Sequence, residues 1–270
     1  MKLISIYIIC PYSIMEIKET ICKDIAVANT ANNLDKQLHK DIPSPLPNYS
    51  GFNMAIAGSS GSGKTTLMYS IMCKRKKKGK RQSYRGVFDK IYIVSPTLGN
   101  KSMANDEFAK LPGNQIYREL TLQALDELSD SFEKNRDDED NSILILDDVG
   151  SQLRKSGAIE KKLVQLCQNR RHLFLSVIFI IQKWKDLPTG IRNNLSHAAF
   201  FRAKNNPEKE AIMTELFPFK REQTESIFDY IYEKDEDKDR YSFLFVDMSL
   251  KKSSKFQYYK CFNHLELTPK

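Results

Sequence analysis

Short apolar runs without alternation punctuate the chain at residues 52–57, 91–94, 143–146, 177–181 and 198–201. Strands covered on both faces read this way, whereas a sheet with one wet face alternates apolar and polar positions. Helical spacing fills the gaps. Leu67, Met68, Ile71 and Met72 follow the first run, and a helix is expected around residues 159–167, ahead of the fourth. The order predicts an α/β fold with a mostly parallel central sheet flanked by helices. After Pro207 the pattern changes to two helices and two aromatic-rich strands, 241–248 and 256–262, expected to pair antiparallel as a C-terminal β-hairpin on the core.

The N-terminal stretch reads differently. An apolar run within residues 1–10 stops at Pro11-Tyr12 without a small-residue cleavage site, and it is too short to cross a bilayer. No membrane partner is expected. Residues 1–14 read as an arm, with Met15 an alternative start, and residues 16–42 are polar with a weak helical period. Pro43-Ser44-Pro45-Leu46-Pro47 reads as a stiff extended linker. The expected organisation is an arm and linker over 1–47, a core over 48–205, and C-terminal helices with the hairpin over 206–270.

Composition adds two points. A net charge of +8, from 42 basic and 34 acidic residues, points to an anionic partner. The basic run at residues 74–81 could grip phosphate, act as a localisation signal, or be a solvated helix end. The cysteines Cys10, Cys22, Cys73, Cys167 and Cys261 are scattered and form no C-x-x-C pair, so buried thiols in a reducing compartment are expected rather than a disulfide framework or zinc site. His172 and His197 have no metal-ligand spacing.

The chemistry starts at the end of the first strand. Gly58-Ser59-Ser60-Gly61-Ser62-Gly63-Lys64-Thr65 fits G-x-x-x-x-G-K-[ST] between a strand and a helix. Glycines let the backbone curl so that its N–H groups face phosphate oxygens, and the helix adds its positive end. Gly58 through Thr66 are therefore expected to bind ATP, with Lys64 bridging the β- and γ-phosphates and Thr65 ligating Mg²⁺. The third strand ends in Asp147-Asp148, a Walker B pattern: Asp147 would hold Mg²⁺, and Asp148 would orient or deprotonate the attacking water. The distance from Lys64 leaves room for another strand, an arrangement that resembles the RecA-like (ASCE) NTPases. Gln182 ends the next strand, either as a sensor of the γ-phosphate or as an amide capping nearby backbone.

Taken in order, the loop at 58–65, the strand ending Asp147-Asp148-Val149-Gly150, the stretch Arg170-Arg171-His172-Leu173 and the strand ending in Gln182 resemble the genome-packaging ATPases of poxviruses, other large DNA viruses and virophages. These belong to the FtsK–HerA superfamily of ring-forming DNA pumps, and the similarity covers about residues 50–205. The resemblance implies ATP hydrolysis coupled to double-stranded DNA translocation. It also implies a homo-oligomeric ring (hexamer or pentamer), capsid proteins as partners, and a place in the host cytoplasm or the virion. Arg171, ahead of His172-Leu173, matches the arginine that reaches a neighbouring subunit's site. Asp148 departs from the Asp-Glu pair common in the superfamily. Arg154 and Lys155 fall in a Ser/Gly-containing loop where a pore loop would lie. A helicase or AAA+ remodeller would share the core, although the chain shows neither a second RecA-like domain nor a recognisable lid. A nucleotide-dependent scaffold with little turnover is the other alternative.

Overall fold

The computed structural model describes residues 3–10, 13–20, 36–74, 81–98, 107–232, 241–249 and 255–267. The chain divides into Met1–Asn33 and Leu34–Lys270. In the first unit β1 (Leu3–Cys10) and β2 (Ser13–Thr20) pair antiparallel, with Ile6 opposite Ile17 and Ile8 opposite Met15. The weak helical period expected from residue 16 onward gives way here to a strand. Met15 and Ile17 alternate with Glu16 and Lys18, a period of two.

In the second unit the chain runs through β3 (Asn53–Ala57), α1 (Lys64–Cys73), β4 (Lys90–Val94), the short β5 (Ile116–Tyr117), α2 (Leu122–Asp137), β6 (Ser142–Asp147), α3 (Gly150–Lys155), α4 (Gly157–Asn169) and β7 (Leu175–Ile181). It continues through α5 (Thr189–Arg192), β8 (His197–Phe201), α6 (Asn206–Leu216), α7 (Arg221–Tyr232), β9 (Phe243–Asp247), β10 (Gln257–Lys260) and β11 (Asn263–Leu265). The described strands form one sheet in the order β11-β10-β9-β8-β3-β7-β6-β4-β5. From β8 to β5 all pairings are parallel, and β9, β10 and β11 extend the same sheet antiparallel. The expected hairpin is thus part of the central sheet, with β11 as a further strand.

The apolar runs follow from the two cores. Ala55, Leu144, Leu146, Val177 and Phe179 face one core with residues of α2, α4, α6 and α7. Met54, Ile56, Ile143, Ile145, Ile178 and Ile180 face the other, beneath Met68 and Ile71 of α1. Alternate side chains leave opposite faces of a strand, so burial of both faces favours apolar residues at most positions, with Asn53, Ser142, Ser176 and His197 as buried polar exceptions near the strand starts.

Two expectations are corrected. The Pro-rich segment is not an extended linker: it turns at Pro43, whose carbonyl accepts from Leu46 N at 3.0 Å, and it buries Ile42 and Leu46 in the α1-side core. The Tyr84 hydroxyl donates to the Pro47 carbonyl at 2.8 Å, so proline stiffness here serves packing. Arg154 and Lys155 end the helix α3 rather than lying in a loop, because Val149 and Leu153, one turn apart, are both buried. Of the basic run, residues 75–80 lie outside the described residues. Cys167 is fully buried, and burial pushes its thiol up to about 12, as a structural thiol requires. No described helix is long and apolar enough to cross a membrane.

Candidate active site

The loop that leaves β3 is held from both sides. Gly58 N donates to the Ile181 carbonyl at 3.2 Å, tying the loop to the end of β7. A Cβ on Gly58 would stand 2.7 Å from both Phe201 Cβ and Ser62 Oγ, so only glycine fits there. Gly61 and Gly63 have φ of +76° and +103°, the left-handed backbone that an anion-binding nest uses. Gly63 caps α1 and accepts from Leu67 N at 2.8 Å. Leu67, Met68, Ile71 and Met72 anchor that helix while Thr65 and Thr66 stay in its first turn, facing outward.

Lys64 reaches back over the loop, and its Nζ donates to the Ser59 carbonyl at 2.8 Å. Burial lowers the Lys64 pKa; Asp147 and then Asp148 oppose that with their negative charge. Burial in turn raises the Asp147 carboxyl, as does the neighbouring Asp148, while a hydrogen bond from Ser95 and the Lys64 charge pull it down. Lysine and both carboxylates therefore share one electrostatic site.

Asp147 is the last residue of β6, and its Oδ2 accepts from Ser95 Oγ at 3.2 Å. The register explains the partner: Val94 of β4 lies opposite Leu146, which sets Ser95 beside Asp147. The Ser95 hydroxyl also lies 3.3 Å from Thr97 Oγ1. Ser95 carries no sequence motif; from sequence it reads only as the polar stop before Pro96. Its role becomes visible once β4 and β6 are known to be neighbours.

Asp148 takes a left-handed backbone, φ +55°, which Asp tolerates better than most residues. Its amide donates to the Ile180 carbonyl at 3.1 Å, and its exposed carboxylate accepts from Gln182 Nε2 at 3.0 Å. The two residues sequence placed at neighbouring strand ends are thus in direct contact. Thr65, next to Lys64 in the first turn of α1, and Asp147, whose charge acts on Lys64, both offer oxygen donors. That donor chemistry fits a hard cation such as Mg²⁺.

Arg170 and Arg171 lie elsewhere. They follow α4, at the start of β7, whereas the phosphate loop leaves the opposite end of the parallel strands β3 and β7. Arg170 Nε donates to the Gly51 carbonyl at 2.8 Å and Nη1 to the Cys167 carbonyl at 2.6 Å. A Cβ on Gly51 would come within 3.0 Å of Arg171 Cα. Neither arginine joins the site of its own chain.

A family model described as "Poxvirus A32 protein" matches residues 47–263, most of the chain. Among curated proteins, the DNA packaging protein OPG160 of vaccinia virus (strain Copenhagen) is 26% identical over 151 residues, covering 56% of this chain and 53% of that one. The variola virus protein of the same name gives the same figures. The chain spans about half the length of the curated relatives it matches. Among solved structures, B204, the DNA-packaging ATPase from Sulfolobus turreted icosahedral virus, is similar at a TM-score of 0.52 and 15% identity, over 81% of this chain and 99% of that chain. The genome-packaging NTPase B204 of Sulfolobus turreted icosahedral virus 2, in complex with ATP-γ-S, is similar at a TM-score of 0.51 and 15% identity, over 81% of this chain and 98% of that one. At such identity these structures speak for the fold, and the fold agrees with the α/β expectation.

Proposed function

The chain belongs to the poxvirus A32 protein family, and from that premise we propose that it is an ATP-driven motor that moves double-stranded viral DNA into a capsid. The observation that carries the reading is the gathering of Lys64, Asp147, Asp148 and Gln182 at one end of the parallel sheet, from three different strand ends. The names of its relatives, DNA packaging protein and packaging ATPase, support the direction of that work.

In this reading the backbone N–H groups of residues 58–64 and the Lys64 ammonium hold the triphosphate, while Thr65 and Asp147 hold Mg²⁺. The cation, when bound, neutralises charge on the β- and γ-phosphates. Ser95 fixes the Asp147 carboxylate. Asp148, steadied by Gln182, accepts the proton of the attacking water. Arg171 acts in trans on the site of the next subunit, so the working unit is a ring, hexameric or pentameric. Motor chemistry belongs to residues 48–205, with 206–270 completing the sheet and its helical cover. DNA and capsid proteins are its partners, and the host cytoplasm or virion its place of work.

The test is ATPase activity of the full chain with and without duplex DNA, across a salt series. Duplex should stimulate turnover regardless of its base sequence, with a steep fall as salt rises, because the grip is on the phosphate backbone. Lys64→Ala should abolish turnover and most nucleotide affinity, since it removes the cation that spans the loop. Turnover near wild type in Lys64→Ala would refute the site. Turnover indifferent to duplex DNA would refute the motor and leave a nucleotide-dependent scaffold.

A further inference from the structure

Beside the phosphate loop lies a cleft of about 490 Å³ that shares Gly63, Lys64 and Thr65 with the phosphate site and extends past them to residues given no role above. Its wall begins with the loop itself, at Gly63 and Lys64. It continues along Thr66 and Ser70 on α1, over a floor of Phe201 and Phe243, to Tyr241. That volume lies in the range of small-molecule pockets.

The sheet order gives the cleft its direction. Asp148 and Gln182 stand on β6 and β7, to one side of the loop strand β3; β8 and β9 stand on the other. A nucleotide whose terminal phosphate lies among Lys64, Asp147 and Asp148 extends its nucleoside away from the acids, toward β8 and β9. Tyr241 lines the cleft on that side. Phe243 pairs with Phe201, the last residue of β8, and Tyr241, in the turn two residues before Phe243, lines the cleft with both. A Cβ on Gly63 would lie 3.4 Å from Tyr241 Cδ1, which puts the ring against the phosphate loop.

Exposure separates this ring from the core aromatics around it. Phe201 and Phe243 are 4% and 8% exposed, with ring centroids 5.5 Å apart, whereas Tyr241 is 56% exposed. A large, half-exposed ring lies beside the phosphate-binding loop, and Thr66 and Ser70 bring hydroxyl-bearing side chains to the neighbouring wall of the cleft. Every nucleobase has a π-face for such a platform, and purines present the larger one.

We propose that this cleft is the nucleoside site and that Tyr241 stacks on the base of the bound nucleoside triphosphate. The inference rests on the nucleotide-binding reading of residues 58–65 and extends it to a residue outside every recognised motif.

The experiment measures equilibrium binding of ATP, GTP, CTP, UTP and inorganic tripolyphosphate to the full chain and to Tyr241→Ala, Tyr241→Phe and Lys64→Ala. Tyr241→Ala should weaken ATP and GTP about ten-fold or more, the size expected of base–aromatic stacking. It should weaken CTP and UTP less, and leave tripolyphosphate unchanged. Tyr241→Phe, which keeps the ring, should hold purine affinity near wild type. Far-ultraviolet circular dichroism of Tyr241→Ala should match wild type, since the side chain lies at the surface. ATP affinity unchanged in Tyr241→Ala, or lost in parallel with tripolyphosphate affinity, overturns the proposal. In the first case, loss of binding in Lys64→Ala shows that the phosphate site stands without it. If Lys64→Ala binds every ligand as wild type does, the nucleotide reading itself falls.

Discussion

The two ends of the parallel strands put polar residues to opposite uses. At the C-terminal end, Asp148 and Gln182 are exposed and bond to each other, and Lys64 shares its field with two carboxylates. At the N-terminal end, polar side chains turn inward and bond to backbone. Asn53 Nδ2 donates to the carbonyls of Cys167 and Asn194, and Ser196 Oγ donates to the Asn53 carbonyl at 2.9 Å. Arg170 satisfies Gly51 and Cys167, and the buried His197 and Asp247 pair at 3.3 Å. One end presents polar groups to solvent and to a ligand; the other spends them largely on the backbone of the strand starts and on each other. Buried backbone groups at strand starts need partners, and a missing one costs about 1–3 kcal/mol. Polar residues at strand ends thus divide into those that surround the space beside Lys64 and those that satisfy the backbone at the strand starts.

Arg171 offers the most direct way to break that division, because the resemblance assigns catalysis to a residue at the strand-start end. Arg171→Ala should bind ATP normally yet lose about 10³-fold or more in turnover, the size of an arginine supplied in trans. Mixing it with Lys64→Ala subunits should restore part of the activity, since intact Lys64 sites then meet intact arginines across some interfaces. Mixed rings that form but never turn over ATP would return Arg171 to a structural role, beside Arg170.

Asp148 sharpens the comparison at the other end. Asp148→Asn should cut the hydrolysis rate by about 10²–10⁴-fold while nucleotide stays bound, because Asp147 still holds the cation. Measuring retained ATP and product release in single-turnover assays separates the two effects. Normal hydrolysis in Asp148→Asn, alongside a dead Asp147→Asn, would move the base to another residue.

Legibility in the sequence followed the physics of each feature. The phosphate loop was readable because its glycines answer to local backbone geometry, and the five core strands because burial on both faces keeps most of their positions apolar. Asp147 and Gln182 were readable as polar stops on apolar runs. The helix α2 was passed over, although Leu125, Leu128 and Phe132 recur at helical spacing and the Thr121 side chain accepts from Ala124 N at 3.0 Å as its cap; the charged residues between them masked the stripe. Ser95 was not readable, since its meeting with Asp147 depends on the pairing of β4 with β6. The packed turn at 42–50 was hidden for a like reason: proline content signals stiffness but not whether the stiff segment is covered. His197, which has no metal-ligand spacing in the sequence, gains its partner Asp247 only through the antiparallel addition of β9 to β8.

That pair yields the smallest and most local prediction, and it tests whether the strand-start end serves stability alone. Burial by itself raises the Asp247 carboxyl, but the hydrogen bond and charge of His197, with two hydrogen bonds from Ser249, outweigh it and bring the group to about 2. An unfolded aspartate titrates near about 3.9. A carboxyl held below its unfolded value stabilises the fold fully above that value, and the contribution fades as pH falls from about 4 to about 2. The gap corresponds to roughly 2–3 kcal/mol at neutral pH. Asp247→Asn should therefore lower stability by that order at pH 7, measured by chemical denaturation, and the difference from wild type should narrow steadily below about pH 4. ATP affinity should be untouched, because the pair lies at the opposite end of β8 from the Phe201 that borders the phosphate loop. A stability difference that stays constant down to about pH 2 would mean that packing, not charge, is what Asp247 supplies. A change in nucleotide affinity would mean that the two ends of the sheet are coupled, and the division of labour between them would fail.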